Sequence, residues 1–256
     1  MHGVCLDALF PPARPEPRDL AFTGLDGARL VARHDRRFYR YADELHDSGF
    51  EVAAALARES FNTSNYDSAA VRREVVQYAR ALGESVDYWI IGNEMDAGLL
   101  PKESPSSWKM TPTEYARFFD RCVDGILSVD PAALIVLGGL VSGQPAALGE
   151  YLAALGSTRQ WVHGYDVHPY AKRLVAAAEL LEAYQLQAPN LNAYVFEWNR
   201  PSDEIEGFKK MLGSRLVDVA GWAWAMWSDA QAPEPMGLVD VNGWPKEEAR
   251  AMGRVL

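Results

Sequence analysis

Residues 88–96 read Tyr-Trp-Ile-Ile-Gly-Asn-Glu-Met-Asp. Tyr88 to Gly92 is apolar throughout, the pattern of a strand buried on both faces, as strands are in parallel sheets covered by helices on each side. The run then ends abruptly on two polar residues, Asn93 and Glu94. Outward from this stretch the same unit recurs. Upstream lie the β-rich runs Glu51 to Leu56, Ala28 to Arg33 and Val4 to Phe10. Downstream lie Leu134 to Leu140, Gly164 to Val167, Asn192 to Phe196 and Val219 to Met226.

Helix-period segments separate these runs. Phe38, Tyr41, Ala42 and Leu45 share one face before the stop at Gly49, and Val71, Val75, Tyr78 and Leu82 share another before Gly83. Thr111-Pro112-Thr113-Glu114 reads as a capping box with proline at the first helical position. Behind it Tyr115, Phe118, Phe119, Cys122, Ile126 and Val129 fall at helical spacing. Shorter patterns run through Leu148, Tyr151 and Leu155, from Leu174 to Tyr184, and through Ile205, Phe208 and Leu212, with Lys246 to Leu256 as a closing helix. The crossover from Pro11 to Gly27 is proline-rich and shows no clean helical face.

Strands alternating with helices imply a parallel sheet with right-handed crossovers. Eight such units close into a barrel, whereas an open doubly wound sheet more often has five or six strands and a glycine-rich phosphate loop after the first. The reading is therefore an α/β protein, a single (β/α)8 TIM barrel over residues 1–256 with no accessory β-sandwich. The length of 256 residues suits that fold.

A net charge of −10 argues against nucleic acid and anionic membrane surfaces as partners. Two cysteines, Cys5 and Cys122, make no disulfide framework, and Cys122 falls on an apolar helical stripe as a buried free thiol would. No segment has the roughly 18 apolar residues of a membrane span. Residues 1–30 lack the pattern of a signal peptide. The expectation is a cytoplasmic or phage-encoded chain, or a secreted one already trimmed of its leader.

In a parallel barrel the reacting groups sit at the C-terminal strand ends. Those ends carry Asn93 and Glu94, then His168, Pro169 and Tyr170, then Glu197, Trp198 and Asn199, then Trp227, Ser228 and Asp229. Burying a lone carboxylate costs several kcal/mol unless it is compensated. Two at one barrel mouth are hard to explain as packing, and glycosidic bond cleavage is the reaction that needs such a pair.

Here the residues resemble a family. The stretch from Tyr88 to Asp96 looks like the strand-four motif of the clan A glycoside hydrolases, and Tyr194-Val195-Phe196-Glu197-Trp198-Asn199 looks like their strand-seven nucleophile motif. The wording is closest to the α-L-arabinofuranosidases of glycoside hydrolase family 51, with family 39 as near competitor. The resemblance implies Glu94 as acid/base and Glu197 as nucleophile, with Asn93 on the sugar 2-hydroxyl. It implies Tyr170 at the nucleophile, His168 in the same subsite and Trp227 under the sugar ring, with Asn199 part of the nucleophile motif. Both families usually carry a β-sandwich that this chain has no sequence to make.

Desolvation by Trp89 and Trp108, with repulsion from Glu197, would raise the pKa of Glu94 as an acid requires. A retaining mechanism would place the two carboxyl groups about 5–5.5 Å apart. Other candidates keep two readings. Trp108 either stacks on a sugar or packs on its own loop, and Arg33 and Arg58 bind sugar or are surface charges. Trp224 and Trp227 stand on opposite faces of their strand, with Trp227 the one assigned to the site.

A metal-dependent hydrolase would need more histidines at strand ends than His34 and His168, so no metal and no cofactor are expected. The expected partner is a carbohydrate. A catalytically silent glycan-binding barrel and a transglycosylase remain as alternatives. Sugar identity and endo or exo cleavage rest on the loops 96–110 and 228–245.

Overall fold

The computed structural model describes residues 2–6, 15–21, 25–99, 108–169, 174–198, 207, 210 and 219–224. Of residues 2–5, 21, 174, 197, 198, 219 and 221–224 it describes the backbone alone. The strands are β1 (His2–Leu6), β2 (Gly27–Val31), β3 (Glu51–Leu56), β4 (Tyr88–Asn93), β5 (Leu134–Leu140), β6 (Val162–Val167), β7 (Asn192–Trp198) and β8 (Val219–Trp224). The helices are α1 (Pro17–Ala21), α2 (Arg36–Asp47), α3 (Ala69–Leu82), α4 (Pro112–Leu127), α5 (Pro145–Ala154) and α6 (Leu174–Gln187). The sheet is a closed barrel in sequence order, each strand parallel to the next, with β1 pairing β8 through Gly3↔Ala223 and Val4↔Trp224. This is the (β/α)8 barrel the alternation implies.

Strand alternation divides the side chains between two cores. Inside the barrel Ala53, Ala55, Ile90, Val136, Tyr194 and Phe196 pack together, with Tyr88 beside them. The division of volume is uneven. β3 contributes only methyl groups, and β7 fills the space they leave with Tyr194 and Phe196, stacked at 4.8 Å between centroids. Outside, Val52, Ala54, Leu56, Trp89, Ile91, Ile135, Leu137 and Val195 meet the buried faces of the helices. Those faces follow the periodicity: Phe38, Tyr41, Ala42 and Leu45 on α2, and Tyr115, Phe118, Phe119, Cys122 and Ile126 on α4. Cys122 is a free thiol, and complete burial pushes it well above the usual thiol range.

α4 starts where its capping box puts it. The Thr111 hydroxyl accepts from the Glu114 amide, and the Glu114 carboxylate accepts from the Thr111 amide at 2.8 Å. In the first crossover, which lacks a clean helical pattern, the described residues form the five-residue α1, whose Leu20 is buried. The expected first strand, Val4 to Phe10, instead spans His2–Leu6, and residues 7–10 lie outside those described. So do the expected helices at 205–212 (except Gly207 and Lys210) and 246–256. No described helix is long and apolar enough to cross a membrane.

Candidate active site

The C-terminal end of β4 is bent by its own sequence. Gly92 has φ +94°, and a Cβ there would stand 2.6 Å from the Met95 sulfur, so a side chain is excluded by both conformation and space. Across the ladder, a Cβ on Gly138 would lie 2.3 Å from the Gly92 carbonyl oxygen. The two glycines thus let β4 and β5 approach closely. Tyr115 of α4 anchors this point: its hydroxyl donates to the Ile91 carbonyl at 2.7 Å and accepts from the Gly138 amide at 3.4 Å.

Two residues on, Glu94 has φ 54°, the one non-glycine residue with positive φ among those described. A left-handed backbone costs a side-chain-bearing residue on the order of 1–2 kcal/mol, so the surroundings must hold it. Its amide donates to the Gly139 carbonyl at 2.7 Å and its carbonyl accepts from the Ala97 amide at 3.1 Å. Asp96, buried, accepts from the Val141 and Ser142 amides at 2.8 and 3.0 Å, tying the turn after β4 to the end of β5. Backbone strain that is over-determined in this way is typical of functional sites.

The strained turn presents two side chains. Asn93 accepts, through Oδ1, a hydrogen bond from Arg29 Nη2 at 2.5 Å. That contact fixes the amide so that Nδ2 is its remaining donor. Glu94 Oε1 lies 3.2 Å from Nδ1 of His168, whose Nε2 lies 3.2 Å from Asp166 Oδ2. The His168 and Asp166 side chains are wholly buried, and that of Glu94 is 12% exposed. Asp166 Oδ1 accepts from the Phe196 amide at 2.8 Å, which joins β6 to β7 one residue before Glu197. The ring of His168 lies against β5, where a Cβ on Gly139 would come within 2.1 Å of Nε2.

Asn93, Glu94 and His168 are therefore brought together at the barrel mouth. Glu197 is the penultimate residue of β7, at a register irregularity between Val195 and Trp198; its side chain lies outside the described residues, as do Tyr170, Asn199 and Trp227. Trp224 pairs with Val4 and Trp198 at the end of β8.

The remaining candidates stand elsewhere. Trp108 is 5% exposed, in an aromatic cluster with Tyr66, Phe118 and Phe61 at 4.5, 4.7 and 6.3 Å. This geometry describes packing, but on α4 and the segment after β3 rather than on its own loop, and Trp108 also borders the open cleft beside Arg58. Trp89 belongs to the outer core, so neither tryptophan is the desolvating wall expected for Glu94, and the ring of His168 is beside it instead. β2 stops at Val31, and Arg33 beyond it is half-buried, next to His34, whose ring stacks on Tyr78 of α3. His34 is held at 3.2 Å by Glu74. Arg58 follows β3, exposed on an open cleft of about 640 Å³ shared with Tyr66, Asp67, Lys109 and Arg117.

Arg29 and Asp166 were missed in the sequence, although each leaves a signal: a charged residue inside an otherwise apolar barrel strand. Among the described residues no group of three or more His, Cys, Asp or Glu is placed to hold a metal ion.

No family model matches the chain, and no curated protein matches its sequence. Solved structures do resemble it. The catalytic core of xylanase A superposes with a TM-score of 0.71 at 13% identity, covering 99% of this chain and 96% of that one. GH5_18 from Streptomyces cattleya, solved in complex with GlcNAc, gives 0.71 at 14% identity over 99% of this chain and 78% of its own. A glucosidase from Croceicoccus marinus gives 0.75 at 12% identity over 99% and 66%. At such identities the likeness establishes the fold, and the fold shared with these glycosidases is the (β/α)8 barrel.

Proposed function

We propose that the protein is a retaining glycoside hydrolase acting on an oligo- or polysaccharide, with Glu94 as acid/base and Glu197 as nucleophile. The observation that carries this reading is Glu94 itself: a partly exposed carboxyl group, held in a left-handed backbone at the end of β4 and hydrogen-bonded to a buried histidine. Glu197 is the penultimate residue of β7, and xylanase, glucosidase and GlcNAc-bound neighbours share the barrel. The resemblance to glycoside hydrolase families 51 and 39 suggests arabinose- or xylose-containing glycans, with a bacterial surface or phage-targeted polysaccharide as the equal alternative.

In the first step Glu197 attacks the anomeric carbon while Glu94 gives its proton to the departing oxygen, leaving a glycosyl ester. Esterification removes the charge of Glu197, so the pKa of Glu94 falls and its carboxylate can take a proton from the water that hydrolyses the ester. Asn93, its Oδ1 committed to Arg29, turns its Nδ2 donor to the sugar 2-hydroxyl, a contact that strengthens in the transition state.

The test is hydrolysis of a panel of aryl glycosides and polysaccharides by the native protein, Glu94→Gln and Glu197→Gln. Each variant should lose activity by several orders of magnitude, and azide should restore turnover to Glu197→Ala. A native protein that binds a glycan and cleaves nothing in the panel overturns the proposal in favour of a silent binding barrel.

A further inference from the structure

We infer that Asp166 is a positioning residue for the acid/base: it holds His168 with Nδ1 as an N–H donor to Glu94 Oε1, so that the proton exchanged with substrate is carried on Oε2. The inference rests on the reading of Glu94 as acid/base.

The argument is a count of protons along one line of atoms. Asp166 Oδ2 and His168 Nε2 stand 3.2 Å apart with both side chains wholly buried. A proton must lie between them, because two facing lone pairs would leave a buried anion against an acceptor. The same holds between Nδ1 and Glu94 Oε1, also at 3.2 Å.

Two arrangements satisfy both gaps. In the first the ring is an imidazolium, or Asp166 is protonated and the ring neutral, and in either case Nδ1 carries hydrogen. In the second the ring is neutral with Nε2–H, Nδ1 is bare, and Glu94 must place its proton on Oε1. The second arrangement locks the acid's proton onto the ring, where no leaving group can take it.

The surroundings favour the first. Asp166 is anchored by the Phe196 amide at Oδ1, which stabilises its anion, and a buried anion is best compensated by a cation at its other oxygen. Glu94, 12% exposed, is the member of the line that water can reach. The ring packs directly on Gly139, where a Cβ would meet Nε2 at 2.1 Å, so the missing side chain is what admits it. Among the described residues, the charged groups along the line are Glu94 from β4, Asp166 from β6 and Arg29 from β2 through Asn93, and the backbone of Glu197 follows Phe196 on β7. With Nδ1–H on Oε1, Glu94 keeps this hydrogen bond both as acid and as carboxylate. The protonation cycle then runs on the other oxygen with no reorganisation of the ring.

Hydrogen bonding to the charged form lowers a carboxyl pKa. In Asp166→Asn the side-chain oxygen keeps the Phe196 amide and the NH2 group faces Nε2, so the ring is neutral with Nε2 bare and Nδ1 still protonated, and its hydrogen bond to the Glu94 carboxylate loses its charge. The basic limb of the kcat/KM profile should therefore move up by about one pH unit, and kcat should fall about 10-fold as that hydrogen bond weakens. His168→Asn, which can put an amide N–H near the place of Nδ1, should retain more activity than His168→Leu.

The deciding experiment is ¹⁵N NMR of the ring nitrogens of His168 in the native protein and in Asp166→Asn, with pH profiles of both. A protonated Nδ1 in both rings, with Nε2 losing its proton in the variant and the limb shifted, supports the inference. A bare Nδ1 in the native ring overturns it, as does a variant whose activity drops with its limb unmoved. A protonated native Nδ1 in an enzyme whose activity is indifferent to Glu94→Gln overturns the functional reading while leaving the ring assignment standing.

Discussion

Replacing Tyr115 by phenylalanine removes one oxygen atom and isolates the anchoring of β4. The hydroxyl is completely buried, donates to the Ile91 carbonyl at 2.7 Å and accepts from the Gly138 amide at a marginal 3.4 Å. Burial pushes its pKa far above the ordinary phenol value, so it is a donor at every working pH. The ring stays, so little cavity opens. The cost is the main-chain carbonyl left without this donor, about 1–3 kcal/mol for a buried group, with a smaller contribution from the long bond to Gly138.

In a protein of this size each kcal/mol moves Tm by about 2–4 °C, so a loss near 2 kcal/mol should lower Tm by about 4–8 °C. Calorimetry together with urea unfolding at unchanged m-value measures it. Because Ile91 stands three residues before Glu94, kcat should fall with KM nearly constant, by up to about 100-fold if the turn shifts by an ångström. A folded variant with Tm within about 1 °C of native would refute the idea that this hydroxyl holds the strand end.

Two further outcomes test the surroundings. Trp108→Ala, emptying the cluster of Phe61, Tyr66 and Phe118, should cost about 3–5 kcal/mol, read as a Tm drop of roughly 10 °C or more; a loss of sugar affinity with Tm unchanged would return Trp108 to the binding surface. Glu114 is held below its ordinary 4.5 by the Thr111 amide and hydroxyl, so its contribution is present above about pH 4.5 and disappears as pH falls through the lowered folded value. Glu114→Gln should therefore lower Tm at neutral pH and converge with native in acid, and parallel Tm curves at all pH values would contradict this.

The barrel was legible because its signals are local. β3 and β5 begin and end at the residues their apolar runs predict, Glu51–Leu56 and Leu134–Leu140, and α4 starts at a capping box spelled out in four residues. The site was legible only where strand ends expose it, at Asn93, Glu94 and His168. Arg29 meets Asn93 from 64 residues away, and Asp166 meets the Phe196 amide from 30; no periodicity encodes such a partner. Each was nevertheless visible as an anomaly, a charge set between Ala28 and Leu30 and another between Tyr165 and Val167. Trp108 was ambiguous for the opposite reason. Its environment is built by Phe61 and Tyr66, which arrive from the segment after β3.

The uneven filling of the barrel has a consequence for how deep its mouth can be. Among the described residues, the plug beneath the strand ends consists largely of Tyr194 and Phe196, while the facing strand offers only Ala53 and Ala55. Depth is therefore governed from one strand, and the uppermost stopper, Phe196, is the residue whose amide anchors Asp166 and whose chain neighbour is Glu197. A variant that hollows the floor at position 196 disturbs the supports of Asp166 and of the candidate carboxylate Glu197 in the same stroke. Enlarging β3 at Ala55 raises the floor from the side that carries no such duty. A shallower mouth is thus cheap to make and a deeper one expensive, an asymmetry set by the two inward alanines, Ala53 and Ala55.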